Sequence, residues 1–267
     1  MDTPLSAAQS VNRANNAIRK VPEITIYFWI LKLLTTAMGE TTSDYLVHVL
    51  DPIIVVVLGA ICLAVALLLQ FSVSRYVVWI YWLTVVMVAI FGTMVADVLH
   101  VELGIPYLVS TVFFSVALIV IFATWYASEK TLSIHSIDTC RREIFYWATV
   151  MTTFALGTAL GDMTASTMNL GYFPSGLLFA VLIAVPALAY WCFGLNAIVA
   201  FWLAYILTRP LGASFADWVG KPQNAGGFGL GTGLVSLILT ILIVALVSYL
   251  TITDKESKTN DDRISKH

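Results

Sequence analysis

Four copies of one stretch constrain this chain more than any other feature. Residues 28–44 read FWILKLLTTAMGETTSD, 81–97 YWLTVVMVAIFGTMVAD, 146–162 YWATVMTTFALGTALGD and 201–217 FWLAYILTRPLGASFAD. Each copy begins with an aromatic residue followed by Trp29, Trp82, Trp147 or Trp202. A glycine follows at a fixed distance (Gly39, Gly92, Gly157, Gly212), then an aspartate (Asp44, Asp97, Asp162, Asp217). The spacing is the same in all four, without a gap. Self-similarity at this period means one supersecondary unit used four times.

Composition decides the solvent. The chain has 267 residues, 59% of them hydrophobic and only 11% charged, against roughly a quarter charged in soluble domains. A polytopic membrane protein is expected, with the lipid bilayer as its main partner. The net charge of -2 gives no support for a nucleic-acid partner. Cys62 and Cys192 lie in apolar runs and Cys140 in a polar one, which reads as free thiols and not a disulfide framework. The first 23 residues are polar, so no signal peptide is expected and the first span should direct insertion.

A spanning helix needs about 20 mostly apolar residues. Residues 24–43, 52–71, 76–96, 106–126, 145–161, 174–193, 196–215 and 227–250 meet that need. The expected fold is therefore all-α: eight transmembrane helices, arranged as four parallel helical-hairpin repeats around a pseudo-fourfold axis. The expected organisation is a tail over 1–21, one transmembrane domain over 22–250 (repeats 22–71, 75–126, 143–193 and 196–250) and a tail over 251–267. In each repeat the first helix carries Trp, Gly and Asp, and the second carries no Asp, Glu, Lys or Arg. With the N-terminus inside, the cytoplasmic segments hold Arg13, Arg19, Lys20, Arg75, Lys130, Arg141, Arg142, Lys255, Lys258, Arg263 and Lys266. The other side holds only Arg209 and Lys221. The positive-inside rule then puts both termini in the cytoplasm and the four Asp residues at the outer end. The glycine-rich connection of the fourth unit is expected to be the least regular.

The four Asp are the first candidates for chemistry. On one reading each simply caps or terminates a helix at the membrane surface. Brought to one level by parallel units, however, they repel one another and call for a cation, a proton or a basic partner. With Glu40 they form an oxygen-rich set suited to hard ions such as magnesium, calcium or manganese. His48 and His100 lie near this acidic end as extra nitrogen ligands or as solvated loop residues.

Two charges break the repeat. Lys32 stands where the sister units have Val85, Val150 and Tyr205, and Arg209 takes the place of Thr36. Lys32, Thr36, Gly39 and Glu40 share one broad helix face. Arg209 and Glu40 are expected to be neighbours, as a structural pin or as part of an ion-linked switch. Pro210 is a natural place for the seventh helix to break and expose carbonyls. Thr35, Thr153 and Thr208 occupy one repeat position, a turn before the glycine, where hydroxyls and small residues let helices approach and hydrogen-bond. The Trp residues read as packing or interface anchors. No nucleotide loop, zinc-spaced cysteine pair, metalloprotease helix or nucleophile elbow is present, so nothing supports an enzyme, and no cofactor is expected.

The four hairpins, each with a Trp and a Gly-[Glu/Thr/Ala]-x-x-x-Asp ending, resemble a bacterial integral membrane family. That family is a tandem repeat of unknown function, with four repeats of two spans and a characteristic Trp. The resemblance covers about residues 22–250 and implies a bacterial inner-membrane protein of eight helices. The second unit departs most, with Val88 and Thr93 in place of Thr35 and Glu40. The residues themselves point to a cation transporter, foremost a proton-coupled exporter of a divalent metal. Asp44, Asp97, Asp162, Asp217 and Glu40 are its expected ligands, and Lys32 and Arg209 its charge-pairing groups. A non-transporting scaffold or sensor is the alternative, and a cation channel the third reading.

Overall fold

The computed structural model describes residues 19–264, so most of the tail expected over 1–21 lies outside the described residues, as do Arg13 and Lys266. Among the described residues there are eight long α-helices and no strand. They are α1 (Ile26–Val49), α2 (Pro52–Ser72), α3 (Val78–Asp97), α4 (Tyr107–Glu129), α5 (Cys140–Asp162), α6 (Tyr172–Phe193), α7 (Ala197–Gly220) and α8 (Thr232–Ile264). Wider π-helical turns, Val98–Glu102 and Met163–Thr167, extend α3 and α5.

Local chemistry sets the starts. The side chains of Thr25, Asp51, Thr139 and Asn196 each accept a bond from a free N–H of the first turn, and Pro52 takes the first position of α2. Seven of these helices are long and apolar enough to cross a membrane. The exception is α1, which carries Lys32, Glu40 and Asp44. Burial is inverted relative to a water-soluble protein. Ile53, Leu68, Ile119 and Val181 point outward, whereas Lys32, Glu40, Arg209 and many threonines are buried. Hydrocarbon is the solvent for that surface, so the chain is a multi-pass membrane protein.

The four first helices form a closed ring in which α1 packs on α3, α3 on α5, α5 on α7, and α7 on α1. The repeat glycines make each contact close. A Cβ on Gly39 would lie 2.6 Å from Ala89 Cβ, one on Gly92 2.7 Å from Phe154 Cβ, and one on Gly212 2.6 Å from Thr36 Cγ2. One on Gly157 would fall inside the Arg209 side chain. Ala89, Phe154, Arg209 and Thr36 all sit three residues before the glycine of their own repeat. The same small-residue contact therefore closes all four joints.

The structure corrects several expectations. The repeats are not tight hairpins: each second helix packs mainly on the first helix of the following unit, α2 on α3, α4 on α5, α6 on α7 and α8 on α1. The first helices also run beyond their Asp instead of ending there, α1 to Val49 and α7 to Gly220. Pro210 does not break α7, which continues through it. Proline lacks one N–H, but the close packing of Pro210 on Gly157 and Gly161 holds the helix in place. Finally, α8 continues past residue 250 into the segment expected as a tail. As expected, the fourth connection is irregular, with Gly226, Gly229 and Gly231 in left-handed conformations.

Candidate functional site

The ring positions its inward side chains in layers, because residues four apart on a helix share a face. At the Trp-bearing end lie Phe28, Tyr81, Tyr146 and Phe201, all buried. The Tyr81 and Tyr146 hydroxyls are 2.5 Å apart, and Phe28 and Phe201 pack with centroids 6.1 Å apart. The Trp residues wedge between these rings, and Trp202 donates from Nε1 to the Leu132 carbonyl at 2.9 Å. One turn on come Lys32, Val85, Val150 and Tyr205. Lys32 is 1% exposed, yet its Nζ has no hydrogen-bond partner and lies 3.9 Å from the ring centroids of both Phe154 and Tyr205. Two aromatic faces thus stand in for a carboxylate.

The next layers hold the charge pair expected from the sequence. Arg209 Nη2 donates to Glu40 Oε2 at 2.9 Å, with both residues essentially inaccessible. The same guanidinium donates to Thr158 Oγ1 at 2.7 Å, to Thr93 Oγ1, to the Thr36 carbonyl at 3.0 Å and to the Phe154 carbonyl at 3.4 Å. Glu40, Thr93 and Thr158 occupy one repeat position, where the fourth unit has Ala213. All four first helices therefore meet at a single ion pair, with the guanidinium hydrogens used on every side. Thr35, Thr153 and Thr208 do not bond across helices as expected. Their hydroxyls donate to carbonyls of their own helix, those of Lys32, Val150 and Tyr205. A threonine hydroxyl inside a helix readily bonds back to a carbonyl of the preceding turn.

Beyond the pair lie the four aspartates, and none caps a helix N-terminus. They sit in the last turns of helical segments, where the macrodipole contributes about -0.5 charge per helix. Within the inner ring, helix C-termini and carboxylates therefore concentrate negative potential at one end. Carboxylate oxygens of Glu40, Asp162 and Asp217 lie within 4.8 Å of one another. The expected set of five divides here, because Asp44 and Asp97 stand outside that group. Asp97 accepts from Ser43 Oγ at 3.2 Å. Asp44 and Asp217 share Lys221, at 3.5 and 3.2 Å. Burial works against charge on Lys221, but Asp217, Asp44 and Asp162 outweigh it and hold its ammonium well above the usual lysine range.

A cavity of about 930 Å3 opens above this cluster, lined by Glu40, Asp44, Asp97, Asp162 and Lys221 together with Tyr45, Tyr107, Tyr172, Met94 and Val98. His48 also lines it, but its Nδ1 is taken by the Asp44 carbonyl at 2.5 Å. His100 turns to the Ile105 carbonyl at 3.0 Å. Neither imidazole joins the carboxylates.

The opposite end is closed. Lys20 Nζ pairs with Glu143 Oε2 at 2.6 Å, and Gln70 Nε2 donates to Glu143 Oε1 at 2.8 Å, all three residues being buried. The backbone beside them is tied down by Lys20 N to the Ile137 carbonyl and Tyr76 N to the Arg19 carbonyl. Residues 19–21, expected as part of a tail, thus form a strap across the bundle. Sequence reading missed this strap and the bridging role of Lys221. The signal for Lys221 was available, since it follows Asp217 by one helical turn. Lys20 and Glu143 are far apart in sequence, and nothing local joins them.

No curated protein and no solved structure matches the chain. A repeat family does, over residues 27–76, 80–131, 145–194 and 200–256, each of which contains one of the four copies read from the sequence. The chain therefore belongs to the family described as Repeat of Unknown Function (DUF347).

Proposed function

We propose that the protein is a membrane transporter of cations, with a proton as counter-ion. In this reading eight helices cross a bacterial inner membrane as four parallel repeats about a pseudo-fourfold axis, α1 being the eighth span, with both termini cytoplasmic. The ring of first helices and its fourfold glycine contact support the axis. A charged α1 crosses hydrocarbon because its charges are held inside the ring.

One observation carries the function: carboxylates of three repeats (Glu40 and Asp44, Asp97, Asp162) line one cavity at the C-terminal ends of the first helices, where Lys221 of the fourth repeat pairs with Asp44 and with the adjacent Asp217. Such a site attracts cations and exchanges them for protons. Its oxygen donors by themselves suit a hard divalent ion, with Glu40, Asp162 and Asp217 as first ligands. Below the cavity the Arg209–Glu40 layer, the Lys32 layer and the strap fill the axis. This favours alternating access over an open channel.

The completeness of the Arg209–Glu40 lock also suits a second reading, a scaffold whose charges only hold helices together. Uptake and efflux of cations, metal and organic, by proteoliposomes across a pH range separate the two. A transporter moves a cation with an opposing proton flux that is lost in Asp→Asn variants. Proteoliposomes that move no cation at any pH would leave the scaffold.

A further inference from the structure

The cavity is much larger than a bare ion requires. About 930 Å3 falls at the upper end of small-molecule pockets, which run roughly 300–1,000 Å3. Its carboxylates stand beside the rings of Tyr107 and Tyr172 and the apolar chains of Met94 and Val98. Aromatic and aliphatic walls contribute nothing to a hydrated divalent ion. Such an ion on Glu40 would also face the guanidinium of Arg209, 2.9 Å behind the carboxylate.

The chain itself supplies an analogue of the occupant. The Lys221 ammonium lies 3.5 Å from Asp44, 3.2 Å from Asp217 and 5.0 Å from the centroid of the Tyr172 ring. Two carboxylates and an aromatic face are what a primary ammonium needs. Independently, Asp217 Oδ1 is buried without a hydrogen-bond partner in a residue 2% exposed, so one acceptor beside the Lys221 site is left unused.

We propose that this vestibule binds an organic ammonium, a primary amine carrying an aromatic or aliphatic body. Its ammonium displaces Lys221 from Asp44 and Asp217, and its body lies against Tyr107, Met94 and Val98. Lys221 is then a tethered counter-ion that holds the site when cargo is absent. The proposal rests on the cation-transport reading and names its cargo.

The test is calorimetric titration of 2-phenylethylammonium into the full-length protein in phosphatidylglycerol nanodiscs, with Mn2+ titrated in parallel. The wild type binds the amine, and Lys221→Met, which removes the tethered competitor, binds it about tenfold more tightly. Tyr107→Leu weakens amine binding by about tenfold and leaves Mn2+ binding as it was, a contrast that holds even if Lys221→Met fails to fold. Mn2+ binding without amine binding overturns the ammonium proposal while preserving cation transport. Binding of neither, with no flux of any cation in proteoliposomes, removes both. Equal amine affinity in wild type and a folded Lys221→Met overturns the displacement step. Loss of amine binding on adding phosphatidylethanolamine assigns the pocket to a lipid headgroup and overturns a free cargo.

Discussion

The Arg209–Glu40 pair should be a strongly coupled element of stability, and a double-mutant cycle measures it. The two groups are 2.9 Å apart and buried, so their attraction is on the order of 6 kcal/mol at an effective dielectric of about 20, before desolvation is counted. Desolvation removes most of that as a net gain. Breaking the pair from one side is another matter, because it leaves a buried charge with no partner, at about 3–5 kcal/mol. Glu40→Gln strands a guanidinium that keeps the Thr158, Thr93, Thr36 and Phe154 oxygens, which places its cost near the lower figure. Arg209→Met strands a carboxylate facing two threonine hydroxyls at 3.4–3.5 Å, and loses five donors. It should cost more. The double variant Glu40→Gln/Arg209→Met carries no buried charge at this layer, so it should recover roughly 2–3 kcal/mol of the summed single losses. Equilibrium unfolding in mixed micelles, with far-UV circular dichroism as readout, gives all three values. Losses that add to within about 0.5 kcal/mol would show that the two residues do not depend on each other, and the lock would be refuted.

The four Asp→Asn variants should keep their fold and lose cation flux. Asp162 and Asp217 should be most sensitive, being grouped with Glu40, and Asp97 the most tolerant; flux and thermal stability in the same liposomes are the check. Gly157→Ala should lower stability by about 1–3 kcal/mol, because its Cβ would overlap Arg209, whereas Gly161→Ala, whose Cβ meets only ordinary contacts from 3.7 Å outward, should be neutral or stabilise by up to about 1 kcal/mol. Thermal melts of the pair test this contrast of sign. Glu143→Leu should free the strap, so that trypsin cleaves after Lys20 in the variant and not in the wild type; equal protection in both would mean the buried pair is not what holds it.

The sequence by itself determined the repeat, the helical class and the end of the first helices at which the carboxylates gather. Trp, Gly and Asp at one fixed spacing, together with apolar runs long enough to span hydrocarbon, leave little freedom in those respects. It also pointed to Arg209 and Glu40 as partners, since each is a charge found in only one of the four repeats and is costly alone in hydrocarbon. Tertiary structure decided what sits opposite what. Helical periodicity says which residues share a face but not which face of another helix they meet. Packing of each second helix on the following unit, the convergence of Glu40, Thr93 and Thr158 on one guanidinium, and the strap from Lys20 to Glu143 are contacts between segments far apart in the chain. The role of the aspartates turned on a shorter distance. Read from sequence they could end their helices as caps. The helices instead run on beyond them, and carboxylates left near negative helix ends need a proton, a cation or a basic partner such as Lys221 to offset them.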